Sequence, residues 1–297
     1  MMGNPVNDID SILITGPTAS GKSALAVELA REQGGVVVNA DSMQVYDTLR
    51  VLTARPSDDD MQGITHHLYG HVAAGAAYST GVWLREVTAL MASLRRDGIM
   101  PVVVGGTGLY FKALTGGLSP MPDIPDAIRR EMRQRLINEG PERLHQELQL
   151  RDPPVAASLN ASDGQRIVRA LEVFAATGQS IAALQGRAGP VIIDPTRARK
   201  IVVLPEREVL HARINGRFEK MLAQGAEAEV RALLSLALTP EQPVMKAIGV
   251  SQIAAMHGGE ISRAQVLELG AAATRQYAKR QMTWFRNQMD ASWERIG

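Results

Sequence analysis

Residues 16–23 read Gly-Pro-Thr-Ala-Ser-Gly-Lys-Ser, the spacing G-x-x-x-x-G-K-[ST]. Its glycines let backbone N–H groups converge on phosphate oxygens where a helix begins. The lysine adds a compact positive charge, and the final hydroxyl suits Mg²⁺. Gly16, Pro17, Thr18, Ala19, Ser20, Gly21, Lys22 and Ser23 are therefore the candidate di- or triphosphate cradle, with Ser23 as candidate metal ligand. The cradle does not say whose phosphate it holds. A nucleotide is the default, yet no Asn-Lys-x-Asp guanine reader occurs in the chain. Val102-Val103-Val104 also runs into Gly105-Gly106-Thr107, where a switch ATPase carries a carboxylate for Mg²⁺. Val191-Ile192-Ile193-Asp194 has that pattern, but far along the chain and beside Pro195.

Asp41 closes the run Val36-Val37-Val38-Asn39-Ala40-Asp41, at the carboxyl end of the strand predicted after the loop's helix. Ligands of open α/β sheets bind outside those strand ends, so Asp41 faces the crevice of Lys22. It suits a cap for the chain after Ser42, a carboxylate near Mg²⁺, or a general base beside a transferred group; the last is the functional reading. Gly105-Gly106-Thr107-Gly108 ends another strand and opens a helix, and its free N–H groups and the Thr107 hydroxyl suit an anion. By itself this is also an ordinary tight connection. The two loops together predict a ligand clamped between two strand ends.

The elements that must position these groups follow from periodicity. Ser11–Thr15, Val36–Val38, Pro101–Val104 and Lys200–Leu204 are short apolar runs that predict buried strands; Lys22–Gln33 and Val82–Arg96 between them have helical spacing. Strands alternating with helices predict a parallel sheet. From about Pro120 to Gly189 strand signals vanish, and helices are predicted at Pro125–Asn138, Glu142–Leu150 and, capped by Ser162, Asp163–Thr177. Beyond Leu204 the chain reads as helices at Glu208–Leu236, Val250–Met256 and Arg263–Asn287. The expected organisation is an α/β, P-loop NTPase-like parallel-sheet core over 1–120, a helical insertion over 121–189, and a return to the core with C-terminal helices over 190–297.

Composition sets bounds on this picture. In 297 residues, 45% are hydrophobic and 21% charged, as in a folded globular protein. No apolar run nears the ~20 residues of a membrane span. Met1–Pro5 lacks the layout of a signal peptide, so a cytoplasmic location is expected. The cysteine count of 0 excludes disulfides, thiolate metal sites and a cysteine nucleophile. The net charge of +1 divides into −3 over residues 1–120 and +4 over the rest, and 26 of the 32 basic residues are Arg. Arginine suits phosphate recognition, but an Arg-favouring genome explains the same count. His66 and His67 do not suggest a metal pair, because neighbours in a strand project to opposite faces.

Several segments together resemble the tRNA dimethylallyltransferases, or isopentenyltransferases. They are GPTASGKS (16–23), ADSMQVY (40–46), TARPS (53–57), HHL (66–68), VGGTGLYFK (104–112), QRIVRALE (165–172), KAIG (246–249) and YAKRQMTWFR (277–286). The resemblance implies transfer of a dimethylallyl group from its diphosphate to N6 of the adenine 3′ of the anticodon, position 37, with Mg²⁺. Partners would be dimethylallyl diphosphate and the tRNA anticodon stem-loop, and the enzyme would act as a monomer. Residues 16–23 would then hold an isoprenoid diphosphate. Asp41 would take the N6 proton, while Lys22, Thr107 and Arg217 would act on the reacting groups. The target adenine would have to flip out of its stack. Asp41, Ser42, Met43, Gln44, Thr107, Arg129, Gln165, Arg166, Ile167, Val168, Arg169 and Lys246 would be the tRNA-contacting positions. The last helix carries Arg275, Lys279 and Arg286 on one side and Tyr277, Arg280 and Trp284 on the other, fitting RNA contact or, for the aromatics, inward packing. Thr48, Arg50, Val51 and Leu52 depart from the family pattern, which has a glycine, an acid and an Ile-Gly pair there. An ATP-dependent small-molecule kinase and an RNA-binding P-loop ATPase are the alternatives.

Overall fold

The computed structural model describes residues 9–187 and 189–297; Met1–Pro5, where a signal peptide was sought, lie outside them. The chain packs as two compact units: the chain up to Thr115 with Ile192–Gly297, and Gly116–Val191.

The first unit is built on strands β1 (Ser11–Thr15), β2 (Val36–Asn39), β3 (His66–His67), β4 (Pro101–Gly105), β5 (Ala198–Val203) and β6 (Glu294–Ile296). They form one sheet in the order β3-β2-β4-β1-β5-β6, with every pairing parallel. Its inner strands are apolar on both faces because helices cover both, as a parallel sheet requires. Leu13, Val38 and Val103 pack on one side with Trp83, Met91, Phe111 and Phe285. Their neighbours Ile12, Ile14, Val37, Val102 and Val104 pack on the other with Ala26, Val27 and Ala30. This alternation is the two-residue strand period.

Register places the site. Thr15 pairs with Gly105, and Val104 with Asn39, so β1, β4 and β2 end at one level. The loops after them emerge side by side. The helices around the sheet are α1 (Lys22–Glu32), α2 (Asp58–Met61), α3 (Thr80–Arg96) and α4 (Gly108–Thr115). The helical unit contributes α5 (Asp126–Glu139), α6 (Pro141–Arg151), α7 (Pro153–Ser158), α8 (Gly164–Thr177) and α9 (Ile181–Gln185). After it come α10 (Arg207–Ala223), α11 (Ala226–Ser235), α12 (Val250–His257) and α13 (Arg263–Gln288).

Four readings of the sequence differ from the structure. The helix expected over Glu208–Leu236 is two, α10 and α11, because Gly225 takes a left-handed φ of 105° that ends one before the other starts. The cap of α8 is Asp163, whose carboxylate accepts from Arg166 N at 3.2 Å; Ser162 instead bonds Asn160. The edge strands β3 and β6 are too short, and too polar, to show a periodicity. Val191–Asp194 forms no strand, and Asp194 accepts from Thr196 in a turn.

In the helical unit, Leu144, Leu148, Ile167, Val168 and Leu171 are buried together with Met132 and Val155. Pro141 and Pro153 start α6 and α7, where a missing N–H costs nothing.

Candidate active site

The phosphate loop leaves β1 at Gly16 and enters α1 at Lys22. Gly21 holds a left-handed φ of 97° at the helix start, and no side chain caps that end. The first-turn N–H groups are therefore left for an anion. Lys22 folds back over the loop, its Nζ donating to Pro17 O at 3.1 Å. Burial, opposed by the Asp41 charge and reinforced by Arg217, pushes its ammonium down to about 8. Ser20 Oγ is buried inside the loop with no hydrogen-bond partner. A buried unsatisfied hydroxyl costs free energy that an oxyanion at the loop would recover. Ser23 is exposed at the start of α1.

The facing wall comes from the ends of β2 and β4. Asn39, fully buried, accepts from Asp41 N at 2.8 Å and donates to Asp41 O and Leu68 O. Trp83 Nε1 bonds Asn39 O at 3.0 Å, and the Trp83 ring stacks on Tyr110 at 3.9 Å. Asp41 thus stands on a braced backbone. Its Oδ1 accepts from Met43 N at 2.9 Å, and Oδ2 has no hydrogen-bond partner among the described residues. A turn at Asp41 thus exists, but no helix follows it. Thr107 Oγ1 accepts from Ser42 N at 3.0 Å and lies 3.2 Å from Ser42 Oγ, tying the β4 loop to the β2 loop.

Sequence reasoning missed the residue joining the two walls. Gln281 of α13 is 6% exposed; its Oε1 accepts from Thr18 N at 2.9 Å and its Nε2 donates to Gly106 O at 2.9 Å. A Cβ on Gly106 would lie 2.4 Å from that amide and 3.4 Å from Asp41 Oδ2, so only glycine fits between them. Gln281 lies inside the YAKRQMTWFR segment, but neither the basic nor the aromatic stripe includes it. Asn39 was hidden for a similar reason, reading as the polar end of a strand.

Asp41 is the electrostatic centre of this crevice. Its charge acts on Lys22 and Arg217, and it helps burial push the hydroxyls of Tyr69, Tyr110 and Tyr277 well above their ordinary range. Arg217 reaches the loop from α10 and donates to Thr18 Oγ1 at 3.2 Å. The structure therefore brings together Lys22, Asp41, Thr107 and Arg217. Tyr277 and Trp284 are half-buried, as inward packing requires, and the Arg280 guanidinium lies 5.7 Å from the Tyr277 ring.

Other expected contacts lie beside this crevice or beyond it. Gln44 donates to Thr53 O and Ala54 O, both at 2.9 Å, leaving its carbonyl oxygen to face outward from those bonds. Met43 is half-buried and Lys246 is exposed, ending the 3₁₀ turn Pro243–Lys246. The atypical segment keeps its shape through its backbone. Arg50 N, Val51 N and Leu52 N all donate to the Glu229 carboxylate at 3.1, 2.7 and 3.0 Å, while Leu52 itself packs into the core.

Arg129, Gln165, Arg166, Ile167, Val168 and Arg169 belong to the helical unit. Gln165 and Arg166 are exposed and Arg169 is half-buried. Ile167 and Val168 are corrections: at 0% and 6% exposure their side chains fill the core of that unit. They lie on the face of α8 opposite its polar side, so they hold the helix and present no group to a ligand. Arg129 Nε is buried without a hydrogen-bond partner. Among the described residues no three His, Asp or Glu side chains gather as a metal site. Ser23 and phosphate oxygens could still hold Mg²⁺, which keeps most of its waters and needs few protein ligands.

A parallel sheet with a phosphate loop after its first strand and a carboxylate after its second places the chain among P-loop α/β proteins. The IPP transferase family model matches residues 44–288, and the isopentenyl transferase model matches 9–72. The chain belongs to the tRNA dimethylallyltransferase family. It is 76% identical to the tRNA dimethylallyltransferase of Rhizobium rhizogenes over 100% of this chain and 99% of that one. Identity to the enzyme of Rhizobium leguminosarum bv. trifolii is 74%, over 99% of both. Among solved structures, the tRNA isopentenylpyrophosphate transferase of Bacillus halodurans superposes with a TM-score of 0.68 at 30% identity, covering 97% of this chain and 89% of that one. A eukaryotic dimethylallyltransferase acting on tRNA gives 0.77 at 28%, covering 93% and 70%. Neither kinases nor ATPases stand among these relatives, so the kinase reading is not favoured.

Proposed function

We propose that the protein transfers the dimethylallyl group of dimethylallyl diphosphate to N6 of the adenine 3′ of the anticodon, position 37, in tRNA, releasing diphosphate. The observation that carries this reading is Asp41, which keeps one carboxylate oxygen unbonded in the crevice of Lys22 and the phosphate loop. The N6 lone pair is delocalised into the purine, so the amine is a poor nucleophile until a base accepts its proton. Asp41 takes that proton as the N6–C1 bond forms. The C1–O bond breaks, and its electron pair leaves on the diphosphate.

Negative charge grows on that leaving group, where the N–H groups of α1, the Lys22 ammonium and the Arg217 guanidinium face it. Bound diphosphate keeps Lys22 protonated although burial and Arg217, opposed by the Asp41 charge, lower its pKa to about 8. Mg²⁺ held by Ser23 and the phosphates would supply further charge neutralisation. Thr107 and Ser42, bonded to each other, hold the β2 and β4 loops at the distance the purine must enter. Gln44 offers its carbonyl oxygen to an amine.

Arg129, Gln165, Arg166 and Arg169 are the proposed tRNA contacts of the helical unit, and the exposure of Gln165 and Arg166 supports that role. Among the described residues no helix is long and apolar enough to cross a membrane; the reading carries with it a cytoplasmic monomer. The test incubates unmodified tRNA with dimethylallyl diphosphate or with ATP. A mass gain of one dimethylallyl unit on the RNA with the first is expected. Phosphate transfer or ATP hydrolysis with the second would overturn the proposal.

A further inference from the structure

The face of α10 that brings Arg213 and Arg217 to the phosphate loop does not end there. Lys220 and the capping Gln224 continue it at helical spacing, about 10 and 16 Å along the axis from Arg213. With the segment from Arg50 to Asp60 opposite, they enclose an open groove of 990 Å³. Five cations line it: Arg50, Arg55, Arg213, Arg217 and Lys220. None forms an ion pair with a carboxylate among the described residues. Arg213 donates to Ser20 O at 3.2 Å, and Arg55 to Tyr46 O and Asp47 O, both at 3.1 Å. These bonds hold the two guanidiniums through neutral oxygens, with Glu229 and Asp47 close enough to act on Arg55 and Asp60 on Arg50.

Acids nearby keep their charge but are outnumbered, Asp59 and Asp60 being the two carboxylates of the lining against its five cations. Asp60 accepts from Ser57 N and Oγ at 2.9 and 2.7 Å. Glu229, whose charge reaches Arg55, has both oxygens taken by the backbone of residues 50–52. Asp59 is the remaining carboxylate of the lining. A walled basic groove of this kind focuses field on small anions. Cations beyond Arg217 and Lys22 exceed what one diphosphate in the loop requires.

We infer that this groove is a second anion site, taking a free diphosphate or the diphosphate end of an allylic substrate beside the phosphate loop. The inference rests on the reading of residues 16–23 as a diphosphate cradle. Arg213 and Arg217 touch the loop and line the groove, so a diphosphate moves between the two sites without leaving cationic contact. The groove serves arrival of the substrate and departure of the product. Because Arg213 and Arg217 serve both the phosphate loop and the groove, the arrangement favours a diphosphate over a strand of RNA.

Calorimetric titration of the protein with inorganic diphosphate and Mg²⁺ tests this. Two sites are expected, the weaker one losing about tenfold in affinity between low and moderate salt. Arg50→Gln with Lys220→Gln should weaken the second site at least tenfold and leave the tight one within twofold, with an unchanged melting temperature. Lys22→Ala should do the converse. The inference is overturned if wild type binds one diphosphate only, if the double variant binds as wild type does, or if that variant raises the KM for tRNA while both diphosphate sites persist. Should the weaker site remain but dimethylallyl diphosphate show no dependence on Lys22, the groove stands and the reading of the phosphate loop fails instead.

Discussion

In the helical unit Arg135 bonds Glu139 and Glu147 at 2.7 and 2.6 Å, and Arg151 takes the other oxygen of Glu147 at 2.8 Å. In the α/β unit Lys22, Arg213 and Arg217 meet two backbone carbonyls and one hydroxyl. Both regions are rich in basic residues. What differs is whether carboxylates have neutralised them. A cation satisfied by neutral dipoles keeps its charge available to an anion, whereas an exposed ion pair adds little stability and offers little to a ligand. Arg166 and Arg169 fall between the two cases, each 3.5 Å from Asp163 or Glu172. The exposed Arg166–Asp163 pair can be exchanged for a phosphate contact, whereas Arg169 also serves the buried Glu172. The position of a basic residue is thus less informative than its partner.

The contrast is broken most severely at Asp41. Asp41→Asn should lower single-turnover transfer by about 10³-fold while both substrates still bind, since a positioned base contributes ~10²–10⁴. Near-normal transfer would remove Asp41 as the base. Gln281→Ala should follow, at about 10- to 100-fold in kcat with little change in tRNA binding. It leaves the buried Thr18 N–H and Gly106 O unpaired, at a cost of ~1–3 kcal/mol each. A loss in stability alone, with kcat intact, would show Gln281 to be purely structural.

The third test uses pH. Lys22 is held down to about 8, so its positive charge disappears from the free enzyme as pH rises through that value. kcat/KM for dimethylallyl diphosphate should therefore fall above about pH 8, while kcat, measured with diphosphate bound, falls only at higher pH. For stability the sign is reversed. The folded state binds that proton less tightly than the unfolded chain, so this burial penalty is fully present below pH 8. It is relieved between 8 and the ordinary lysine value of 10.5. A flat kcat/KM profile to pH 9 would contradict the lowered pKa of Lys22.

The smallest effects separate the helical unit's arginines. Arg166→Ala with Arg169→Ala should raise the KM for tRNA about tenfold with kcat unchanged, through the loss of phosphate contacts. Arg135→Ala should leave KM unchanged and shift the melting temperature by no more than about 2 °C, because its bonds lie at the surface. Equal KM effects from both would erase the distinction drawn between the regions.

Much of this architecture was legible in advance. The inner strands could be read because a strand buried on both faces has to be almost wholly apolar, and the phosphate loop because its spacing is a backbone requirement. Local signals failed where they were short or negative. The strand His66–His67 is held by pairing with Val37 and Val38, not by its own propensity. The break at Gly225 lies inside an otherwise continuous helical pattern. Ile167 and Val168 sit in a segment that reads as a contact stretch, and only the turn of α8 shows that their side chains point inward.

Residue order alone determined the chemistry at hand: the phosphate cradle, the carboxylate two residues beyond a strand, and the parallel sheet that must bring them to one edge. Each depends on neighbours in sequence, through backbone geometry and hydrophobic period. Only the tertiary structure decided which groups meet across that edge. Gln281 lies 263 residues from Thr18, and Arg217 lies 199 from it. Hydrogen bonds between residues so far apart form only once the strand register and the packing of α10 and α13 bring their donors and acceptors into range.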